Sequence, residues 1–327
     1  MSVCMNATAN EEAVIPVSVA TLIPETVPAV SLYLSLSDGA ARSYRLYRGP
    51  EHLVSASDID NLRSRGVSNL YVAGDDYRRY QSYLRKNLDR LLDDESVPAD
   101  RRVGCLTEVV RDVLADVFRR GDLENRVEQL KEMGDKTVRA ICHDNLVFHE
   151  LRSVLYHDYH TFTHSANVAL YCVLLAKELG IQDREELSAI ATGGLLHDAG
   201  KLDIPPGILT KPGRLDEREV ETMRRHPMLG FRKLSHRRDL SLAQLMMVYQ
   251  HHEQVDGGGY PVGHAGREIH DWGRLCAVAD VFEALTSNRP YRAGFPFEKA
   301  CEMMISKSGA AFDKEYLQCW MQFVSRK

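Results

Sequence analysis

The sequence predicts an α+β chain: a small mixed α/β domain at the N-terminal side, then an all-α helical bundle. Three observations carry that expectation. Leu32, Leu34 and Leu36 alternate with Ser and Tyr, the two-residue period of a strand. From Arg102 onward the pattern is almost wholly helical. Between the two stands a break at residues 96–100, around Pro98. The expected division is residues 1–12 disordered, 13–95 a small regulatory or packing domain, and 96–327 the helical domain.

The elements follow in order. Residues 13–30 are apolar but cut by Pro16, Pro24 and Pro28, and receive no element. After the strand at Leu32, Asp38-Gly39 supplies turn chemistry, and residues 44–48 return as its partner. Ser57 with Asp60 resembles a capping box, with Asp in place of Glu or Gln; the helix it opens stops at Gly66. Residues 67–73 read as a strand. Residues 75–93 read as a helix with Tyr80, Tyr83, Leu84, Leu88 and Leu91 on one face. Tyr77, Tyr80 and Tyr83 are assigned to packing, not to a nucleotide site. Helices are then expected over 105–120, within 123–156, over 163–179 (ended by Gly180), 185–197, 216–234, 240–252 and 272–287, with a terminal pair after Pro296. No internal repeat is visible.

Composition narrows the function classes. A chain of 327 residues with 44% hydrophobic and 27% charged residues has ample core, which excludes disordered, collagen-like and disulfide-scaffold chains. The net charge of −5 argues against a DNA- or RNA-binding protein, while leaving room for a locally basic pocket and a small anion. Seven Cys, an odd number with no CxxC, read as reduced thiols of a cytoplasmic protein. Residues 1–10 lack the features of a secretory signal, and the apolar run 168–176 is too short to span a bilayer. Of 13 His, only His52 precedes residue 143, so imidazole is concentrated in the helical part.

There, His164 stands near the start of a helix. His197-Asp198 ends the next, His226 precedes Pro227, and His251-His252-Glu253 ends another. Asp280 sits inside an apolar run, where a carboxylate must be paired or bound to a metal. Mixed imidazole and carboxylate ligation suits iron, manganese, zinc or nickel, and the lack of organised Cys argues against structural zinc. Seven such ligands exceed the needs of one ion. An Asp can bridge two cations, so two metals is the economical reading.

The motifs carry a resemblance. His164-Ser165-Ala166-Asn167-Val168, His197-Asp198-Ala199-Gly200-Lys201, Ile204-Pro205, Ile208-Leu209-Thr210-Lys211-Pro212-Gly213, and His226-Pro227 with Gly230 come first. His251-His252-Glu253, Asp256-Gly257-Gly258-Gly259-Tyr260-Pro261 and the stretch from Asp280 to Arg292 follow. In order and spacing, residues 160–313 resemble the HD-GYP family, a branch of the HD metal-dependent phosphohydrolases. The resemblance implies an HD-type bundle and a cyclic di-GMP phosphodiesterase yielding pGpG and often GMP. It implies metal ligands at His164, His197, Asp198 (bridging), His226, His251, His252 and Asp280. It implies a catalytic Lys201 beside Asp198, and substrate contacts at Gly259, Tyr260, Pro261, Arg289 and Arg292. Two metals would supply hydroxide at neutral pH, with iron or manganese favoured over zinc or nickel. Two positions depart from the family pattern. His160 stands where members carry Tyr or Glu, and Glu283 replaces an Asp. Both are candidate additional ligands, for a third metal. A cyclic di-GMP sensor or adaptor without turnover, or a phosphodiesterase for another cyclic dinucleotide such as cyclic GMP-AMP, are the alternatives. A homodimer and a diguanylate cyclase partner are the protein partners considered; base selectivity and the ligand of the first domain are not legible.

Overall fold

The computed structural model describes residues 14–38, 41–95, 97–142, 161–288 and 293–326. The predicted turn at Asp38-Gly39, the segment 1–12 expected to be disordered, His160, Arg289 and Arg292 lie wholly or partly outside these. The chain is α+β, in two compact units, Met1–Val109 and Val110–Lys327.

The first unit contains strands β1 (Val14–Ser18), β2 (Leu32–Asp38) and β3 (Ala41–Arg48), helix α1 (Ala56–Ser64), strand β4 (Asn69–Ala73) and helix α2 (Tyr77–Asp93). The strands form one antiparallel sheet in the order β1-β4-β2-β3. Tyr33 stands opposite both Leu46 and Tyr71, which fixes the register of β2 between its neighbours. β1 was not expected, because Pro16 interrupts its apolar pattern. It forms because it is an edge strand, where a missing N–H is tolerated.

The capping box of α1 is Ser55 with Asp58, not Ser57 with Asp60. The reason lies upstream. Val54 is held in extended pairing with Thr26, at 2.9 Å from Val54 N to Thr26 O, so the helix can start only at the next residue. Gly66 then adopts φ 71°, the left-handed conformation that ends the helix. On α2, Tyr80 and Tyr83 are buried. Their hydroxyls bond Thr21 at 2.5 Å and Thr26 at 2.7 Å, and the Tyr83 oxygen also accepts from Ile23 N. They fasten the proline-rich segment to the helix, as a packing role requires.

Helix α3 (Ala99–Arg120) begins six residues before the expected start, and the division between units falls within it. The second unit continues with α4 (Leu123–Cys142), α5 (Thr161–Glu178), α6 (Arg184–Leu196), a 3-10 turn (Ala199–Asp203), α7 (Pro206–Leu209), α8 (Glu217–Met223), α9 (His226–Leu234), α10 (Leu242–Gln250), α11 (Asp271–Thr286), α12 (Phe297–Ile305) and α13 (Lys314–Val324). Every residue from 163 to 176 is buried, so α5 is the central helix. Helices α4, α6, α11 and α13 pack around it. Tyr171 of α5, Phe282 of α11 and Trp320 of α13 form an aromatic cluster with centroids 5.1–5.6 Å apart. Each such ring removes 150–250 Å² of surface from water, so the cluster is a large share of the local burial energy. No described helix is long and apolar enough to cross a membrane.

One long helix over 216–234 was expected; two are found. Pro227 has no N–H to give the carbonyl of Met223, so the helix ends at Met223 and restarts at His226. This break turns out to serve the site. The turn after α6 then approaches α9 so closely that a Cβ on Gly200 would lie 1.9 Å from the His226 carbonyl oxygen. Gly200→Ala is therefore expected to lose about 1–3 kcal/mol of stability through forced separation of these segments. Urea denaturation checks this, and an unchanged midpoint would refute the close approach.

Candidate metal centre

The helical unit brings its His and Asp residues together from five segments. α5 carries His164, and α11 carries Asp280 and Glu283. The end of α6 supplies His197 and Asp198, α9 opens with His226, and α10 ends in His251 and His252. All are buried except His252, whose side chain is 24% exposed and faces the opening.

Helix ends explain why so many imidazoles converge. The last carbonyls of a helix have no backbone partner within it. His197 Nδ1 donates to Gly194 O at 2.7 Å, and His251 Nδ1 to Val248 O at 2.9 Å. His226 Nδ1 donates to Met223 O at 2.8 Å, the carbonyl that Pro227 leaves free. A carbonyl only accepts, so each of these Nδ1 atoms carries the ring proton. Each Nε2 is then a bare lone pair aimed inward.

The inward atoms crowd one another. His226 Nε2 and His251 Nε2 are 3.2 Å apart, with no proton between them. Asp198 reaches both sides: Oδ1 is 3.3 Å from His226 Nε2, while Oδ2 is 3.3 Å from His197 Nε2 and 3.5 Å from His164 Nε2. Asp280 Oδ1 is 3.1 Å from His164 Nε2, and its Oδ2 is 3.8 Å from His252 Nδ1. Asp198 Oδ1 is buried without a hydrogen-bond donor. Lone pairs facing lone pairs, around an unsatisfied carboxylate oxygen, repel unless cations lie among them. The donor set fits divalent metal ions of mixed nitrogen and oxygen preference. Three overlapping groups have ligand atoms within 4.8 Å: His164/His197/Asp280, His226/His251/His252 and His197/Asp198/His251.

Electrostatics divides the imidazoles. Burial lowers His226 to about 3 and His252 to about 4, and holds His251 well below its ordinary value. These rings are neutral at pH 7. Burial also pulls His164 down, but Glu283 and Asp280 outweigh it and raise it to about 9. For Asp198, burial favours the neutral acid, yet the Lys201 ammonium holds it well below the usual carboxylate range. Asp280 is held low chiefly by His164, against the same burial. Without metal, His164 is therefore an imidazolium between acids.

The other expected residues fall as follows. Lys201 Nζ lies 2.5 Å from Asp198 Oδ2 and stands at the rim. Tyr260 stacks on His252, centroids 4.7 Å apart at 27°. Gly259 is required by space, since a Cβ there would lie 2.3 Å from Gln254 N. Glu283 binds His164 Nδ1 and also accepts from Asn167 Nδ2 and Ser287 Oγ. His160, Arg289 and Arg292 lie outside the described residues.

Two features escaped sequence reasoning. The Glu253 carboxylate accepts backbone N–H bonds from Val262, Gly263 and His264 at 2.9–3.2 Å, holding the loop after Pro261. The Arg224 guanidinium carbon lies 5.3 Å from the Tyr260 ring centroid. Nothing in the spacing of either residue announces these contacts. Asn167 had a signal, three residues after His164 and so on its helix face.

Residues 150–316 match the model of the HD domain family. Over 167 residues the chain is 38% identical to a cyclic di-GMP phosphodiesterase of Pseudomonas aeruginosa, covering 51% of this chain and 40% of that protein. Over 159 residues it is 40% identical to a 3'3'-cGAMP-specific phosphodiesterase of Vibrio cholerae, covering 48% and 34%. The chain thus spans less than half the length of either. Its fold is similar to that of an HDG"Y"P protein from Bdellovibrio bacteriovorus, with TM-score 0.66 and 18% identity, over 96% of this chain and 100% of the other.

A metal taking the His164 lone pair must displace its proton. With the group raised to about 9, that proton is present at pH 7 and absent well above pH 9. Mn(II) binding to the metal-free protein is expected to release about one proton at pH 7 and to tighten as pH rises toward 9. Calorimetry in buffers of different ionisation enthalpy reads this number; zero release would contradict the His164 state.

Proposed function

The chain belongs to the HD domain family, and from that premise we propose that it is a metal-dependent phosphodiesterase hydrolysing cyclic di-GMP to pGpG, GMP or both. The observation that carries the reading is Asp198. Its two oxygens face two separate imidazole groups, and one of them has no donor. His164, His197 and Asp280 would hold one cation and His226, His251 and His252 another, with Asp198 spanning both. Nitrogen and oxygen donors without thiolate favour iron or manganese, with zinc or nickel as alternatives. When bound, two such ions acidify water at neutral pH and neutralise a phosphodiester.

The chain's own groups do the rest. Lys201 sits at the rim against Asp198, where its ammonium meets the charge that builds on phosphate oxygens during in-line attack, or protonates the departing 3′ oxygen. Glu283 keeps the His164 ring oriented through Nδ1, a positioning role that suits its second oxygen being taken by Asn167 and Ser287. Gly259 lets the loop pass close to Glu253 and Gln254, which carries Tyr260 onto His252. Tyr260 and Pro261 would then line the opening for a base or sugar, and Arg289 and Arg292 would take phosphate or guanine. Cyclic dinucleotides are cytoplasmic messengers, so the reading includes a cytoplasmic site of action.

A second substrate is favoured by one observation. A relative named for 3'3'-cGAMP is as similar as one named for cyclic di-GMP. The two dinucleotides should be offered side by side.

Anaerobically purified protein supplied with Fe(II) or Mn(II) is expected to hydrolyse cyclic di-GMP, followed by chromatography. Asp198→Ala should lose both bound metal and turnover. Lys201→Ala should keep its metal, measured by mass spectrometry, and lose about 10²–10³-fold in kcat, as for removal of one transition-state donor. A fully metallated protein that binds the dinucleotide without turnover would replace the enzyme by a sensor. Faster cleavage of 3'3'-cGAMP would reassign the substrate.

A further inference from the structure

We propose that Arg224 is a specificity-determining residue, binding the phosphodiester of a cyclic dinucleotide that is not being cleaved. This rests on the phosphodiesterase reading above.

The observation is a series of contacts between planar groups, from His252 to Tyr260 to Arg224. His252 belongs to one imidazole group, and its side chain reaches the opening. Tyr260, half-buried, stacks on it with centroids 4.7 Å apart. Arg224, exposed, has its guanidinium carbon 5.3 Å from the Tyr260 ring centroid. Its backbone is fixed as well: it closes α8, with Arg224 N bonded to Val220 O at 2.9 Å. A guanidinium over an aromatic ring still has N–H groups to offer a planar anion.

Arg224 has no acid beside it, as is also true of the neighbouring Arg218 and Arg225; what singles it out is that its guanidinium lies over Tyr260, the ring stacked on His252. Arg237 is paired with Asp239, Arg274 with Asp271 and Asp313, and Arg326 with Glu178. Among the described residues, no carboxylate lies within ion-pair distance of Arg224, so its donors remain available. Lys201 is engaged by Asp198.

Substrate chemistry supplies the complement. A cyclic dinucleotide carries two phosphodiesters in one ring, and only one can lie at the metal ligands. The other must point away from them, while still needing a counter-charge. Arg224 offers one beside Tyr260, with a fork suited to two phosphate oxygens. A diester with a single phosphate has no group to use it.

The test compares wild type, Arg224→Ala and Arg224→Lys at matched metal content. Substrates are cyclic di-GMP and bis(p-nitrophenyl) phosphate, which has one phosphate. Arg224→Ala is expected to raise KM for cyclic di-GMP about tenfold or more, the loss of a charge-assisted hydrogen-bonded pair, with kcat changed less than threefold. Arg224→Lys should recover part of it. The kcat/KM ratio of cyclic di-GMP to the single-phosphate diester should fall by a similar factor. Calorimetric binding of cyclic di-GMP in a Lys201→Ala background should weaken equally. An unchanged KM and affinity, or an equal loss on both substrates, overturns the proposal while leaving the phosphodiesterase standing. A metallated wild type that cleaves the simple diester but neither binds nor cleaves a cyclic dinucleotide overturns the substrate reading, and this inference with it.

Discussion

A buried carboxylate with one oxygen that no donor satisfies organises the helical unit. Asp198 sits where α6 ends, and its oxygens face His164 and His197 on one side and His226 on the other. A charge in that position is costly in an apolar interior. Lys201 and the imidazoles compensate it only in part, because neutral rings present lone pairs and not protons. The convergence of α5, α6, α9, α10 and α11 is thus an arrangement that cations complete.

The scaffold resists collapse of that arrangement. Each of His197, His226 and His251 is tethered through Nδ1 to a carbonyl left over at a helix end, so rotation would sacrifice a buried hydrogen bond. Behind them, Tyr171, Phe282 and Trp320 lock α5 against α11 and α13. His164 and Asp280 cannot drift apart without opening that cluster. Repulsion among the ligand atoms is held by packing elsewhere, a common way for functional sites to keep unfavourable geometry.

Sequence pattern revealed much of this, and its failures are instructive. Alternation disclosed β2 and its return strand, although along that face burial falls from Leu32, fully buried, to Leu36, exposed. It missed β1, because Pro16 disrupts the pattern while the strand sits at a tolerant edge. It ran α8 and α9 together, since their apolar residues keep helical period across a proline. The motif residues from His164 to Asp280 were legible because their chemistry is unusual in apolar surroundings. What holds them was not: the tethers to Gly194, Met223 and Val248 are backbone atoms, which carry no residue signature. The Arg224–Tyr260 contact joins residues 36 positions apart in sequence, and no local period encodes it.

The grip of Glu253 on the backbone of Val262, Gly263 and His264 has one more consequence. It is made to amide groups, which every residue but proline possesses. The loop's course is therefore written in its main chain, while the exposed Val262 can be exchanged for other side chains without changing where the loop goes. A surface whose shape is independent of its lettering is suited to redesign. New side chains could be presented beside the opening at fixed positions, as on a printed frame, leaving the groups beneath undisturbed.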